Sequence, residues 1–180
     1  MPEIQIRPAI SSDISALVAL DHHYNSDHVW QMEFSHDRET SQVEIHFRQM
    51  RLPRSVRVEY PYSPEALMED WTQRSGLLVA LFEEQPVGYI SLVLGLAPLT
   101  TWVSDLIIDR PFRRKGIGSA LILAAQDWAT HMECERLLLE VQPRNHPAIQ
   151  MALKLGFEFC GYNDFHFPDR ETGLFFGKSV

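Results

Sequence analysis

The chain has 180 residues, of which 45% are hydrophobic and 22% charged, with a formal net charge of −8. That length bounds the fold to a single domain with a substantial core, and the composition excludes a disordered or fibrous protein. The negative charge argues against nucleic-acid binding, and no apolar run approaches the roughly 20 residues of a membrane span. Met1-Pro-Glu-Ile-Gln5 lacks the basic and apolar regions of a signal peptide, so a cytoplasmic protein is expected. Cys134 and Cys160 follow no metal or disulfide spacing and are expected to be buried thiols.

Ile4–Pro8 alternates like a short first strand. Ser11–Leu20 offers a capping residue and an apolar helical face at Ile14, Leu17, Val18 and Leu20. The stretch from about residue 21 to 75 is the least regular. It opens with His22, His23, Tyr24, Asp27, His28 and Trp30, and two strands are expected at Val43–Phe47 and Val56–Val58. Arg48, Arg51, Arg54 and Arg57 recur every three residues there and are expected to pair with carboxylates. Pro64–Trp71 reads as a helix with proline in its first turn. Adjacent His22 and His23 cannot share a helix face with His28 at metal-ligand spacing, and no cysteine accompanies them, so no metal site is expected.

Leu77–Phe82 and Pro86–Leu96 form a hairpin around Glu83-Glu-Gln-Pro86, with bulges expected at Gly88 and Gly95. Trp102–Ile108 is the next strand. From Gly116 to His131, Ile117, Ala120, Leu121, Ala124 and Trp128 recur at helical spacing. Arg136–Val141 is a buried strand interrupted by the carboxylate of Glu140, and Pro147–Leu155 is a short helix stopped at Gly156. Glu158–Tyr162 and Leu174–Gly177 supply the last strands, and neither repeat nor linker interrupts the series.

The stretch Asp105–Ser119 organises the rest. A strand turns at Arg110-Pro111 and enters a helix through Gly116 and Gly118. The first amides of a helix lack internal acceptors and lie at its positive end, so strand, glycine turn and helix start make a phosphate cradle. Arg113, Arg114 and Lys115 add positive charge. The spacing is neither that of a P-loop nor of a dinucleotide fingerprint.

Arg113-Arg-Lys-Gly116-Ile-Gly118 resembles the R/Q-x-x-G-x-G/A loop of the GNAT superfamily of acyl-CoA-dependent N-acetyltransferases. Asn145-His-Pro-Ala148-Ile-Gln-Met-Ala152-Leu-Lys-Leu-Gly156-Phe157 resembles its second hallmark, N-x-x-A-x-x-x-Y-x-x-x-G-F, with Ala152 at the tyrosine position. The resemblance covers about residues 77–162, and Asp105–Gly156 is most similar to streptothricin-type and related small-molecule acetyltransferases. It implies an α/β fold, a single GNAT domain over residues 1–180 with a mixed central β-sheet flanked by helices. The variable segment at about 21–75 would cover the acceptor side. Acetyl-CoA is the implied cosubstrate. Backbone of Leu106, Ile107 and Ile108 would pair with the pantetheine arm, Arg113, Arg114, Lys115, Gly116, Ile117, Gly118 and Ser119 would hold the pyrophosphate, and Asn145 would bond to the pantetheine or cap its helix. The implied partner is the primary amine of a small molecule, with no nucleic acid, membrane or metal, and family habit alone points to a homodimer.

Acetyl transfer needs a neutral amine, and an alkylammonium has a pKa near 10.4, so a base or a water relay must take its proton. Glu140 and Asp105 are the candidates, each with a structural ion pair or hydrogen bond as the competing role. Ser104 stands where some related enzymes carry a glutamate. The family's usual general acid is absent because alanine at 152 has no proton to give; Tyr24, Tyr162 or water is left for that task. Two other readings stay open: acetylation of a protein N-terminus or lysine, suggested by Glu140-Val-x-x-x-Asn145, and a GNAT module that binds acyl-CoA without turnover.

Overall fold

The computed structural model describes residues 4–180; Met1–Glu3, part of the stretch inspected for a signal peptide, lie outside the described residues. The strands are β1 (Ile4–Pro8), β2 (Tyr24–Asp37), β3 (Gln42–Val58), β4 (Gly76–Phe82), β5 (Gln85–Val93), β6 (Thr100–Ile108), β7 (Arg136–Val141), β8 (Glu158–Asn163) and β9 (Gly173–Ser179). The helices are α1 (Ser11–Val18), α2 (Ala66–Asp70), α3 (Ile117–His131) and α4 (His146–Lys154). Seven strands form one sheet in the order β1-β4-β5-β6-β7-β9-β8, while β2 and β3 pair only with each other. The α/β architecture with a mixed, helix-flanked sheet is the expected one.

Helices α3 and α4 cover one face of the sheet. Ile117, Leu121, Ile122, Ala125 and Ala129 of α3 recur at helical spacing and pack with Ile149 and Ala152 of α4 on Ile90, Leu92, Val103, Leu137 and Leu139. Helices α1 and α2 cover part of the other face, where Ile14, Leu17 and Leu67 join Leu77, Val79, Tyr89 and Ile107. The capping of α1 differs from expectation. Ile10 is the cap residue, and Asp13, three positions on, accepts its amide at 2.8 Å while Arg7 holds the same carboxylate at 2.7 Å.

Two expected short strands are one long strand, β3, paired antiparallel with β2 over nearly its whole length. The register shifts between Ser26 and His28, leaving residues 52–55 bulged around Pro53, which has no amide to donate. Arg48 pairs with Glu33 at 2.7 Å and Arg57 with Glu59 at 2.6 Å, so part of the arginine series makes surface ion pairs. The cysteines also differ from expectation. Both are free, Cys134 half-buried and Cys160 exposed, because β8 is the edge strand of the sheet.

The feature that positions the site is a fork between β6 and β7, the one parallel pair among the described strands. They pair only from Thr100–Arg136 to Val103–Leu139. On the other side of β6, Ser91 faces Asp105 but Leu92 faces Val103, so Ser104 is an extra, bulged residue. A bulge bends its strand and ends regular pairing. Beyond it, among the described residues, the edge of β6 that faces β7 has no strand partner from Ser104 to Ile108.

Candidate functional site

The open edge of β6 runs straight into the glycine loop. After a 3-10 turn at Arg110–Phe112, the chain takes left-handed backbone at Arg114 (φ 64°) and Gly116 (φ 86°) before α3 begins. Alternating left-handed residues turn successive amides to one side, forming an anion nest. Among the described residues, the amides of Arg114 through Ser119 have no protein acceptor, and intrahelical bonding resumes only with Ala120 donating to Gly116 at 3.0 Å. Gly118 lies close to α4. A Cβ there would lie 3.1 Å from Met151 Sδ, tight against α4.

The basic residues of the loop divide. Arg113 turns inward: its Nε donates to the Ile108 carbonyl at 2.7 Å and its Nη2 to the Asp21 carbonyl, so its charge fastens the loop to the end of β6. Burial lowers the pKa of this guanidinium. Lys115 lies over the Phe112 ring at 5.2 Å. Asn145 caps α4, its Oδ1 accepting the Ala148 amide at 3.2 Å, and among the described residues its amide nitrogen has no hydrogen-bond partner. Ala152 is fully buried in the α3–α4 core.

Both candidate carboxylates lie in the fork, on the sheet face that carries α1 and α2, and each is bonded to a tyrosine that sequence reasoning missed. Tyr60 donates its hydroxyl to Asp105 Oδ1, and Tyr62 donates to Glu140 Oε1 at 2.9 Å. The chain bends at Pro61 and Tyr62 after β3 ends. With Tyr60 bonded to β6 and Tyr62 to β7, Tyr60-Pro61-Tyr62 is a strap laid across both strands. Burial first, then the adjacent carboxylate, pushes both phenols above their ordinary pKa, so both remain protonated donors.

The surroundings of the two carboxylates differ. Asp105 Oδ2 accepts from Arg74 Nη1 at 2.5 Å and Ser104 Oγ at 3.0 Å, and Arg74 also reaches Ser91 at 2.7 Å and Asp70 at 3.1 Å. Burial works against the charge on Arg74, but hydrogen bonds to Asp70 and attraction to Asp105 outweigh it and raise its pKa. Asp105 thus has a permanent counter-charge. Glu140 has none: Oε2 accepts from Trp102 Nε1 at 2.5 Å and lies 3.2 Å from His166 Nε2. His166 arrives on the loop between β8 and β9, which is tied down where Glu171 accepts from Gln142 and Arg144, each at 2.7 Å.

The tyrosines expected as substitute acids are placed elsewhere. Tyr24 donates to Gln142 at 3.0 Å, and Tyr162 packs edge-on to Phe47. The histidines of the first segment are dispersed. His22 is buried, 3.2 Å from the Tyr89 hydroxyl, and desolvation lowers its pKa; His23 contacts Asp21, and His28 stacks on His146 at 4.4 Å. Among the described residues, no group of three His, Cys, Asp or Glu side chains could hold a metal ion, and no helix is long and apolar enough to cross a membrane.

A splayed parallel pair, an amide nest at a helix start and an asparagine-capped second helix come together where the two GNAT-like motifs of the sequence lie. The chain belongs to the acetyltransferase (GNAT) family, whose model matches residues 40–157. Streptothricin acetyltransferase of Streptomyces lavendulae is 39% identical over 59 residues, 33% of this chain and 31% of that protein. Probable spermine N(1)-acetyltransferase of Bacillus subtilis subsp. natto is 32% identical over 66 residues, 36% of this chain and 43% of that protein. The chain thus matches less than half the length of these curated relatives. Similarity to solved structures is longer. A nourseothricin acetyltransferase superposes with a TM-score of 0.80 at 22% identity, over 98% of both chains. A putative streptothricin acetyltransferase from Bacillus anthracis str. Ames, in complex with acetyl coenzyme A, gives 0.74 at 20% identity over 99% of this chain and 100% of that one. At these identities the superpositions establish the fold.

Proposed function

We propose that the protein is an acetyl-CoA-dependent N-acetyltransferase acting on a primary amine of a small molecule. The observation that carries this reading is the continuity of the open β6 edge with the unbonded amides of Arg114–Ser119. An amide-bearing pantetheine arm can add as a strand along Leu106, Ile107 and Ile108. The pyrophosphate then takes the nest amides of Arg114 to Ser119 with the charges of Arg114 and Lys115, and Asn145 offers its free amide nitrogen. Arg113 acts by anchoring the loop. The relatives named for streptothricin and spermine support a small amine as acceptor. Residues 21–75 form the acceptor side through the β2–β3 hairpin, the Tyr60–Tyr62 strap and α2.

In this reading Glu140, which has no fixed counter-ion, takes the proton of the incoming ammonium, while Asp105 is held by Arg74 and keeps the strap in place. The amine attacks the thioester carbonyl, a β6 amide stabilises the oxyanion, and the C–S bond breaks as the C–N bond persists. The departing thiolate, with a thiol pKa near 8.5, takes its proton from water, which agrees with the burial of Ala152. A module that binds acyl-CoA without turnover is the second reading, and that same alanine favours it.

Thiol release from acetyl-CoA, measured against polyamines, aminoglycosides, streptothricin, amino acids and N-terminal peptides, separates them. Release is expected with a small amine, and Glu140→Gln should lower kcat/KM by about 100-fold or more, the usual range for a lost general base. Acetyl-CoA binding without release in any class would replace this reading with the second. No acetyl-CoA binding would overturn both.

A further inference from the structure

Three side chains converge on Glu140: Tyr62 on Oε1, Trp102 and His166 on Oε2. An ionised carboxylate offers about four lone-pair positions, so among the described residues the position left over is on Oε1. Tyr62 stays protonated through burial and the nearby carboxylate, and an indole is a donor only, so neither changes charge near neutral pH. His166 is the exception. Histidine is the side chain whose charge ordinarily changes between about pH 5 and 8, and this one lies 3.2 Å from Oε2, with the Glu140 side chain 6% and its own 19% exposed. Its ring is fixed from several sides. It lies on the backbone of Gly173, where a Cβ would come within 2.6 Å. Phe167 and Phe175 meet it edge-on at 4.9 and 5.1 Å. Asn163 Nδ2 stands 3.4 Å from its Nδ1, and a donor there favours the neutral tautomer whose Nε2–H points at Glu140.

The other charged groups around the pair have partners of their own. Asp105 on β6 pairs with Arg74. On the loop, Asp164 accepts from Thr172, Asp169 from the Glu171 amide, and Glu171 from Gln142 and Arg144. We infer that His166 is a positioning residue that sets whether Glu140 can act as a base, donating to it as a neutral ring and cancelling it as an ion pair once protonated. With the ring neutral, Glu140 takes the ammonium proton on Oε1: the N–H bond breaks, an O–H bond forms, and the nitrogen keeps the electron pair. With the ring protonated, the adjacent positive charge favours the ionised carboxylate and opposes that transfer. The same charge repels the incoming ammonium, so both effects slow one step. This rests on the proposed role of Glu140 and deepens it by naming how the site is regulated.

The test is His166→Gln, which keeps an amide donor toward Glu140 and removes the titration. The kcat/KM of the wild type is divided by that of the variant at each pH, with the amine that supports the fastest thiol release; the ratio cancels titration of the amine and of CoA. It is expected to fall about tenfold from about pH 8 to about pH 5.5, the loss of neutral imidazole for an ordinary histidine pKa near 6.5. If the glutamine variant does not fold, Gly173→Ala, whose Cβ displaces the ring, should give the same trend. A second measurement needs no turnover. In a double-mutant cycle of Glu140→Gln and His166→Gln, the non-additive shift of the urea midpoint should be larger at about pH 5.5 than at about pH 8. A kinetic ratio that stays constant, or a coupling no larger in acid, overturns the inference and leaves the acetyltransferase reading standing. No thiol release with any amine would sink that reading, while the urea cycle would still decide whether His166 governs the charge at Glu140.

Discussion

Arg74 is the residue on which the electrostatics of the fork depend. It is the permanent counter-charge of Asp105, whose side chain is 4% exposed. Arg74→Met keeps most of the aliphatic bulk and removes the charge, leaving a buried carboxylate with only the Tyr60 and Ser104 hydroxyls. Breaking a buried ion pair from one side costs about 3–5 kcal/mol. With a urea m-value of about 2 kcal/mol per M, typical of a small domain, the unfolding midpoint should fall by about 1.5–2.5 M. The double variant Arg74→Met/Asp105→Asn removes the orphaned charge and should recover about 2 kcal/mol or more of that loss. Equilibrium urea unfolding followed by tryptophan fluorescence and circular dichroism reads both. A single variant within about 1 kcal/mol of wild type, or a double variant no better than the single, would refute the claim that Asp105 depends on this guanidinium.

Asp13 gives a pH-dependent counterpart. The hydrogen bond from Arg7, with the Ile10 amide and coulombic attraction adding to it, outweighs burial and lowers the Asp13 pKa below its ordinary value. Its stabilising contribution is therefore full above the unfolded carboxylate pKa, about 3.9, and is lost as pH falls through the lower folded value. Asp13→Asn should be less stable than wild type by about 1 kcal/mol or more at pH 7, and the gap should close in acid unfolding series below pH of about 3.5; a constant gap would contradict the assignment. Gly116→Val forces a β-branched residue to φ 86°, a cost of about 1–3 kcal/mol, and should weaken acetyl-CoA binding by calorimetry; unchanged affinity would separate the nest from the phosphate. Ala152→Tyr restores the family's residue at a fully buried position and should lower stability by about 1–3 kcal/mol or more. A stable variant with higher kcat would show that the tyrosine has room to reach the cleft.

Much of this was legible in the chain itself. Strands β1 and β4–β9 and helices α1, α3 and α4 follow from apolar periodicity and from Gly and Pro punctuation, both properties of neighbouring residues. The nest was readable because it is contiguous, and Glu140 and Asp105 stood out as carboxylates within apolar strands. The β2 strand was not read from the sequence, although Trp30-Gln-Met-Glu-Phe34 alternates, because the polar, histidine-rich run before it hid the pattern. Its outer half is also exposed on both faces, so burial never imposed a strong alternation.

Only the folded chain decided how the carboxylates are used. Arg74 meets Asp105 from 31 residues away, Tyr62 meets Glu140 from 78 and His166 from 26. No local rule couples such positions, because their proximity is produced by sheet order. The bulge at Ser104 opens the fork, the strap after β3 crosses it, and the β8–β9 loop closes one side. Sequence determined which groups could do chemistry. Tertiary structure decided that Asp105 meets a permanent cation, Arg74, while Glu140 meets only a histidine, because which cations come within bonding distance of a buried charge depends on packing.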